Sequence, residues 1–429
     1  MFNFFFKLTN NRLLIKNFTF LSILQISNLL IPILTYPYLI RVLGKEVFGL
    51  IIFAQSIIGY FVVLVNFGFN LSATKEISQY RNDINKLNEI VSSVLIIKAI
   101  LFICALLLTV LITNILPQAK ENATLFYLTL WMCIYEFIFP IWYFQGKEEM
   151  KYLTYMTILS RFLFLILIFV FVKKNSDYLL VPVFYGLGAI TSGLFSLFIM
   201  RTHGIRFNWQ PIYAIKYYFL ESVPIFFSNL STVLTLTSNK IILGLFVGMN
   251  EVAYYELADK LSTIIKTPIQ LIGQVLYPRI AYTKDKDLLR KSFFLTMLIS
   301  IVLLILSVLT SRYLILILGG SNMIESRNVF TVLIFSIIPV TISLFYSNLV
   351  LTIWGHNKEF LISRLYMNIF YFMIILILFY TQNINLISLS ISALLSECFI
   401  GLFSVYICKI KNINFLARAQ IRKNENIIY

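Results

Sequence analysis

Charge is scarce in this sequence. Asp, Glu, Lys and Arg make up 13% of its 429 residues, about half the share of a soluble domain. Apolar residues reach 59% and the mean hydropathy is +0.86, which excludes a soluble globular chain. Histidine is nearly missing: only His203 and His356 occur. Neither stands near a nucleophile or at metal-ligand spacing from a cysteine, so no zinc chemistry is expected. The four cysteines, Cys104, Cys133, Cys398 and Cys408, show no CxxC spacing. In apolar runs such cysteines act as small packing residues, so no disulfide or metal centre is implied. There is no GxxxxGK[ST] phosphate loop, and with it goes ATP hydrolysis by this chain alone. Long hydrophilic loops are missing too. A membrane glycan polymerase or ligase commonly carries a large external loop, and the longest here is about 312–328, with Arg312 and Arg327 as its basic residues. The chain is therefore not expected to be an enzyme.

What is present is long apolar runs, one after another. Forty Phe and 25 Tyr reinforce them. Stretches such as "FLFLILIFVFV" at 162–172 do not alternate in polarity, which excludes a transmembrane β-barrel. A membrane-crossing helix needs about 20 apolar residues. The runs give twelve approximate segments: 18–40, 48–72, 91–113, 122–145, 153–172, 179–200, 218–243, 252–278, 292–312, 328–353, 360–380 and 386–408. The fold class predicted is all-α integral membrane, with about twelve transmembrane helices. Lys7, Arg12 and Lys16 precede an apolar run too long for a signal-peptide core, so the N-terminal end reads as retained and cytoplasmic.

The positive-inside rule tests this count. With the N-terminus inside, 23 of the 35 Lys and Arg fall in cytoplasmic segments, seven outside and five within spans. That asymmetry predicts both termini cytoplasmic. The net charge of +16 then reflects topology and contact with anionic lipids, with no need of nucleic acid.

An internal echo divides the chain. "LGKEVFGLIIFAQS" (43–56) and "VGMNEVAYYELADK" (247–260) match at a constant offset, Gly44 meeting Gly248 and Gly49 meeting Ala253. The tripeptide "SNL" recurs at 27–29 and 228–230. Duplicated halves are common in transporters. The boundaries expected are 1–217 for an N-terminal six-helix lobe with its basic linker, 218–408 for a second lobe, and 409–429 for a basic cytoplasmic tail.

Ionisable groups at bilayer depth are functional candidates, at roughly 2.5–3.5 kcal/mol each on insertion scales. Lys240, in "LTLTSNKIILGLFVG", has two readings: it snorkels to the interface, or it faces a cavity. Arg161 and Glu221 read as snorkelling residues near the cytoplasmic ends of their spans. Glu136, followed by Pro140, either faces the bundle interior or braces a helix kink. Lys98 is matched equally by pairing within the bundle and by substrate contact. In "YYELADKLSTIIKTP", Glu256 and Lys260 share a helix face while Asp259, Ser262 and Lys266 flank it. So many polar groups cannot all face lipid, and they predict a water-filled cavity. Lysines among Ser, Thr and Asn suit an anionic, hydroxyl-rich substrate.

On the residues "YPYLIRVLGKEVFGLIIFAQSIIGYFVVLVNFGFNLSATKEIS" (36–78) and "SNKIILGLFVGMNEVAYYELADKLSTIIKTPIQLIGQVLYPRIA" (238–281), the chain resembles the polysaccharide, or O-antigen repeat-unit, flippases (Wzx-like). These belong to the multidrug/oligosaccharidyl-lipid/polysaccharide exporter superfamily, and the resemblance runs from the first span to the twelfth. It implies two six-helix lobes forming a V-shaped alternating-access transporter in the bacterial inner membrane. It further implies translocation of an undecaprenyl-diphosphate-linked glycan, with the polymerase and chain-length proteins of the same pathway as partners. By resemblance, the cavity candidates are Asn28, Asn66, Asn70, Lys98, Lys240, Asp259 and Lys260. Glu136, Glu256 and Asp259 are candidates for coupling to a proton or sodium gradient; no other cofactor is implied. The competing readings are a drug-extruding cation antiporter of the same superfamily, a lipid II flippase, which usually has fourteen spans, and a membrane glycan polymerase or ligase.

Overall fold

The computed structural model describes residues 12–411, 413, 415 and 416, with the side chains of 12–18, 21, 22, 28 and 236 outside the description. All regular structure among these residues is helical. Lipid offers the backbone no hydrogen-bond partner, so a span must satisfy its own N–H and C=O groups.

In chain order the helices are α1 (Arg12–Asn66), α2 (Phe69–Gln79), α3 (Ile84–Ile115), α4 (Pro117–Glu121), α5 (Ala123–Thr129), α6 (Trp131–Ile138), α7 (Ile141–Gly146), α8 (Met150–Phe171) and α9 (Leu180–Thr202). There follow α10 (Ile212–Phe246), α11 (Met249–Thr283), α12 (Lys286–Gly319), α13 (Ser326–Ile334), α14 (Ile337–Ser343), a π-helical stretch Leu344–Leu351, α15 (Asn357–Tyr380) and α16 (Leu386–Ile410).

Nine of the helical stretches among the described residues are long and apolar enough to cross a membrane, or ten if the bent pair Ile212–Thr235 and Thr237–Phe246 forms one span. Two physical details relate this to the twelve expected segments. The stretch Ile23–Gln79 counts once at 57 residues, yet at 1.5 Å per residue it runs about 85 Å, far beyond a hydrocarbon core of about 30 Å. Gly44 divides it, with φ 77 and ψ 163, a backbone state that glycine reaches without a Cβ penalty. The second detail is α11. Its 35 residues are long enough to span, but Glu251, Glu256, Asp259, Lys260, Lys266 and Arg279 lower its hydropathy. The chain is a multi-pass all-α membrane protein.

The chain forms two compact units, one of residues 1–256 with 317–323, the other of 257–316 with 324–429. In the first, Phe67, Phe69, Phe139, Trp142, Tyr143 and Phe144 anchor one buried cluster, and Ile58, Phe61 and Cys133 belong to a second. In the other unit, Phe293, Phe345 and Phe415 meet edge-on. Many buried serines and threonines close their hydroxyls on carbonyls four residues back, as Thr109 does on Ala105 and Ser404 on Ile400. That return bond is how a hydroxyl sits in lipid without an unsatisfied donor.

Candidate functional site

Two buried polar networks occupy the first unit. The first is built on a helix break. Pro140 has no N–H, so the carbonyl four residues earlier, that of Glu136, loses its helical donor. Lys98 supplies the replacement: its Nζ donates to the Glu136 carbonyl at 2.7 Å and to Oε1 of the Glu136 carboxylate at 3.1 Å. Asn66, the last residue of α1, donates from Nδ2 to the same Oε1 at 2.7 Å. Its Oδ1 accepts from the Gly68 N–H at 3.0 Å, closing the turn into α2. Lys98 is wholly buried, with a side-chain exposure of 0%, and Glu136 has 9%. Lys98 and Glu136 are thus paired with each other beside the Pro140 break.

The second network gathers at the end of the unit that holds Gly44 and Gly248. Lys240 lies on the short arm of the bent helix, Thr237–Phe246. Its Nζ is 2.5 Å from Oε2 of Glu256, and the Tyr36 hydroxyl donates to Oε1 of the same carboxylate at 2.7 Å. Side-chain exposures of 11% and 4% show a pair buried among the helices of the first unit. Around it, Asn239 donates to the Tyr255 hydroxyl at 2.9 Å, Lys45 to the Tyr254 hydroxyl at 2.5 Å, and Tyr60 bonds Ser238 at 3.0 Å. Gln118 reaches the Leu245 carbonyl, Asn175 that of Leu43, and Arg41 that of Ile317.

Small residues bring these backbones together. A Cβ on Gly49 would stand 1.8 Å from the Met249 carbonyl oxygen and 3.2 Å from the Ala253 nitrogen. Gly49 thus packs against Ala253, its own counterpart in the internal repeat.

The remaining predicted residues are placed as follows. Asn70 is half-buried and its Oδ1 is buried without a hydrogen-bond partner. Asp259 and Lys260 are half-buried on α11 in the second unit. The Asn28 side chain lies outside the described residues. Tyr36 was missed by sequence reasoning, because its partner lies 220 residues away. The second unit also holds Lys266, Arg364 and Glu397 on three of its helices, α11, α15 and α16. Arg364, expected in a cytoplasmic loop, turns inward and donates to Asn348 of the π-helical stretch at 3.0 Å.

The Lys240–Glu256 pair carries a direct prediction. Lys240→Met leaves a buried carboxylate with Tyr36 as its hydroxyl donor, and removing one partner of a buried pair costs about 3–5 kcal/mol. The charge-reversed double variant K240E/E256K is expected to recover part of the loss in detergent-solubilised melting curves. A reversed pair no more stable than K240M would show that the two groups do not act on each other.

The arrangement holds no nucleophile–histidine pair, and among the described residues no group of three or more His, Cys, Asp or Glu could hold a metal. Its chemistry is that of paired charges and hydroxyls at bilayer depth, which suits binding and transport. Comparison with solved structures shows a shared fold. A lipid II flippase, MurJ, in an inward closed conformation matches with a TM-score of 0.71 at 12% identity, covering 92% of this chain and 89% of that one. A multidrug resistance MATE family transporter of the MOP superfamily, in an inward-facing conformation, matches with a TM-score of 0.62 at 11% identity, covering 89% and 97%. The fold is the one these two proteins share.

Within that class the sequence is specific. The model of the family described as "Polysaccharide biosynthesis protein" matches residues 14–284, and the chain belongs to that family. A protein of Escherichia coli strain K12 described as "Putative O-antigen transporter" is 30% identical over 409 residues, 91% of this chain and 96% of its own length. A protein of Shigella dysenteriae with the same description is 29% identical over 272 residues, 62% of this chain and 67% of its own.

Proposed function

We propose that this protein is a flippase that carries an undecaprenyl-diphosphate-linked oligosaccharide repeat unit, of O-antigen or capsule type, from the cytoplasmic to the periplasmic leaflet by alternating access. The observation that carries this reading is the near full-length relationship to the E. coli protein described as an O-antigen transporter. The protein resides in the bacterial inner membrane with both termini cytoplasmic. Its partners are the lipid-linked glycan, anionic lipids, and the polymerase and chain-length proteins of the same pathway. The two six-span lobes, 1–217 and 218–408, are the moving parts.

In this orientation the Gly44 and Gly248 turns lie on the periplasmic side, and the Tyr36–Glu256–Lys240 network fastens that end of the first unit. Glu256 is the coupling carboxylate: a proton or sodium ion taken up there releases Lys240, which then meets the substrate diphosphate as a point charge. Asp259 and Lys260 serve as further polar groups of the second unit, and Asn28, Asn66 and Asn70 as hydroxyl-matching amides of the first.

The test is translocation of a polyprenyl-diphosphate oligosaccharide in proteoliposomes. Transport by the wild type, reduced in Lys240→Ala with folding intact, is the expected result. No transport of several glycans, together with efflux of a cationic dye, would replace this reading with that of a drug antiporter.

A further inference from the structure

The second unit carries a surface cavity of its own, at the start of α12 (Lys286–Gly319). The 34 residues of this helix run about 51 Å at 1.5 Å each, longer than a hydrocarbon core of about 30 Å. Phe294, Leu298, Val302, Ile305 and Leu309 recur at steps of three and four residues, so they share one face. Each is well exposed, from 47% to 72%, and a stripe so apolar is at home against hydrocarbon. Phe294 is its first member. Arg290 and Lys291 precede it by four and three residues, one turn earlier on the same side. Two cations thus stand where the lipid-facing stripe begins.

The cavity opens at this boundary. It encloses about 520 Å³ and is lined by Arg290, Lys291, Phe294 and Leu416, a volume within the range of small-molecule sites. Its second wall is the segment after α16, which is firmly anchored. The Ile413 N–H donates to the Cys408 carbonyl at 2.9 Å. The buried Phe415 ring meets those of Phe293 at 5.8 Å and Tyr346 at 4.9 Å, which holds Leu416 beside it. No carboxylate among the described residues lines the cavity. Arg290 faces Asp287 only at 3.8 Å, beyond hydrogen-bond reach. Lys291 is exposed and makes no ion pair among the described residues. Neighbouring groups are already engaged: Asp285 accepts from the Leu288 N–H at 2.9 Å, and Lys284 donates to the Ile353 carbonyl.

We infer that this cavity binds an acidic phospholipid, its phosphate against Arg290 and Lys291 and its acyl chains along Phe294 and the stripe that follows. A soluble anion would meet the cations but leave Phe294 and Leu416 uncovered. A zwitterionic lipid would bring a third cation to the other two. Charge and apolar surface together select an anionic amphiphile, and basic pockets at the ends of spans take lipid headgroups in this way. The guanidinium can hold two phosphate oxygens while the ammonium adds a point charge. The occupant is a lipid of the surrounding leaflet, not the cargo. Bound there, it ties the start of α12 to the segment after α16. This deepens the partner side of the flippase reading, on which only the choice of the cytoplasmic leaflet rests.

The probe is phosphatidylglycerol added to the purified full-length protein in detergent micelles, with phosphatidylcholine as the zwitterionic comparison. Binding is read by native mass spectrometry and by the shift in melting temperature. Wild type is expected to bind phosphatidylglycerol more tightly than phosphatidylcholine. The double variant R290Q/K291Q should bind it at least about tenfold more weakly, each basic group being worth roughly a factor of five. Lys291→Gln alone changes an exposed side chain, so it should melt like wild type without lipid and still lose about fivefold. The matched control R206Q/K216Q removes two exposed cations from the first unit and should bind like wild type. An equal loss in that control would reduce the effect to general surface charge and overturn the inference. Equal affinity for the two lipids would also overturn it, as would inorganic phosphate raising the melting temperature as far as phosphatidylglycerol does. Wild type that binds phosphatidylglycerol through Arg290 and Lys291 yet flips no lipid-linked glycan would leave this site standing and remove the flippase reading alone.

Discussion

Lys98→Met is expected to lower the stability of the protein by about 3–5 kcal/mol, the cost of leaving one member of a buried pair without the other. Lys98 serves two acceptors, and the loss should divide accordingly. In K98M/E136Q the stranded carboxylate is gone, so the charge part of the penalty is recovered. The Glu136 carbonyl freed by Pro140 still lacks its donor, a deficit of about 1–3 kcal/mol. Pro140→Ala supplies a backbone N–H with which the helix, ending at Ile138 with Phe139 extended, can run on and meet that carbonyl. The triple variant K98M/E136Q/P140A should therefore melt above the double. If it melts at or below the double, Lys98 is not compensating for the proline break. These residues close the relevant distances at 2.7 and 3.1 Å, and Lys98 has no exposed surface, so solvent cannot substitute for either bond.

Gly49→Ala should reduce transport by on the order of 100-fold. The added Cβ would stand 1.8 Å from a backbone carbonyl oxygen and 2.7 Å from its carbon, and no side-chain rotation can clear a backbone. Overpacking of this kind costs about 1–3 kcal/mol. Each 1.4 kcal/mol is a factor of ten in an equilibrium, so a penalty at the upper end removes the packed form of this seam from the cycle. Gly59→Ala is the matched control, lying later on α1 with nothing within 4 Å of its Cβ, and should transport like wild type. Gly244 gives the contrasting case. Its Cβ would meet the Phe53 ring at 2.2 Å, a side chain that can be trimmed, so Phe53→Leu should rescue Gly244→Ala. It should not rescue Gly49→Ala. Transport by Gly49→Ala equal to wild type would show that the seam is not required to close.

The class of this protein was readable from composition, because only a chain with few charges and long apolar runs can satisfy its backbone in lipid. The apolar runs were readable for the same reason, since bilayer thickness sets the length of each, but against the twelve expected, nine or ten helical stretches among the described residues are long and apolar enough to cross. Gly44 and Gly248 were visible as repeat positions before either was seen at a turn. The Glu136–Pro140 spacing was readable as well: four residues is the helical hydrogen-bond interval, so a proline there frees that carbonyl wherever the segment is helical.

What filled the freed carbonyl was not readable. Lys98 is 38 residues from Glu136, and Tyr36 is 220 from Glu256. No local pattern encodes which of several mid-span charges will meet, because helix faces are chosen by packing against neighbours far along the chain. Arg161 shows the limit: its place in a span was evident, but that its Nη1 is buried without a hydrogen-bond partner was not. Membrane passage is decided residue by residue against the solvent, and so it is written locally. Charge compensation is decided between helices, and only the tertiary structure could assign it.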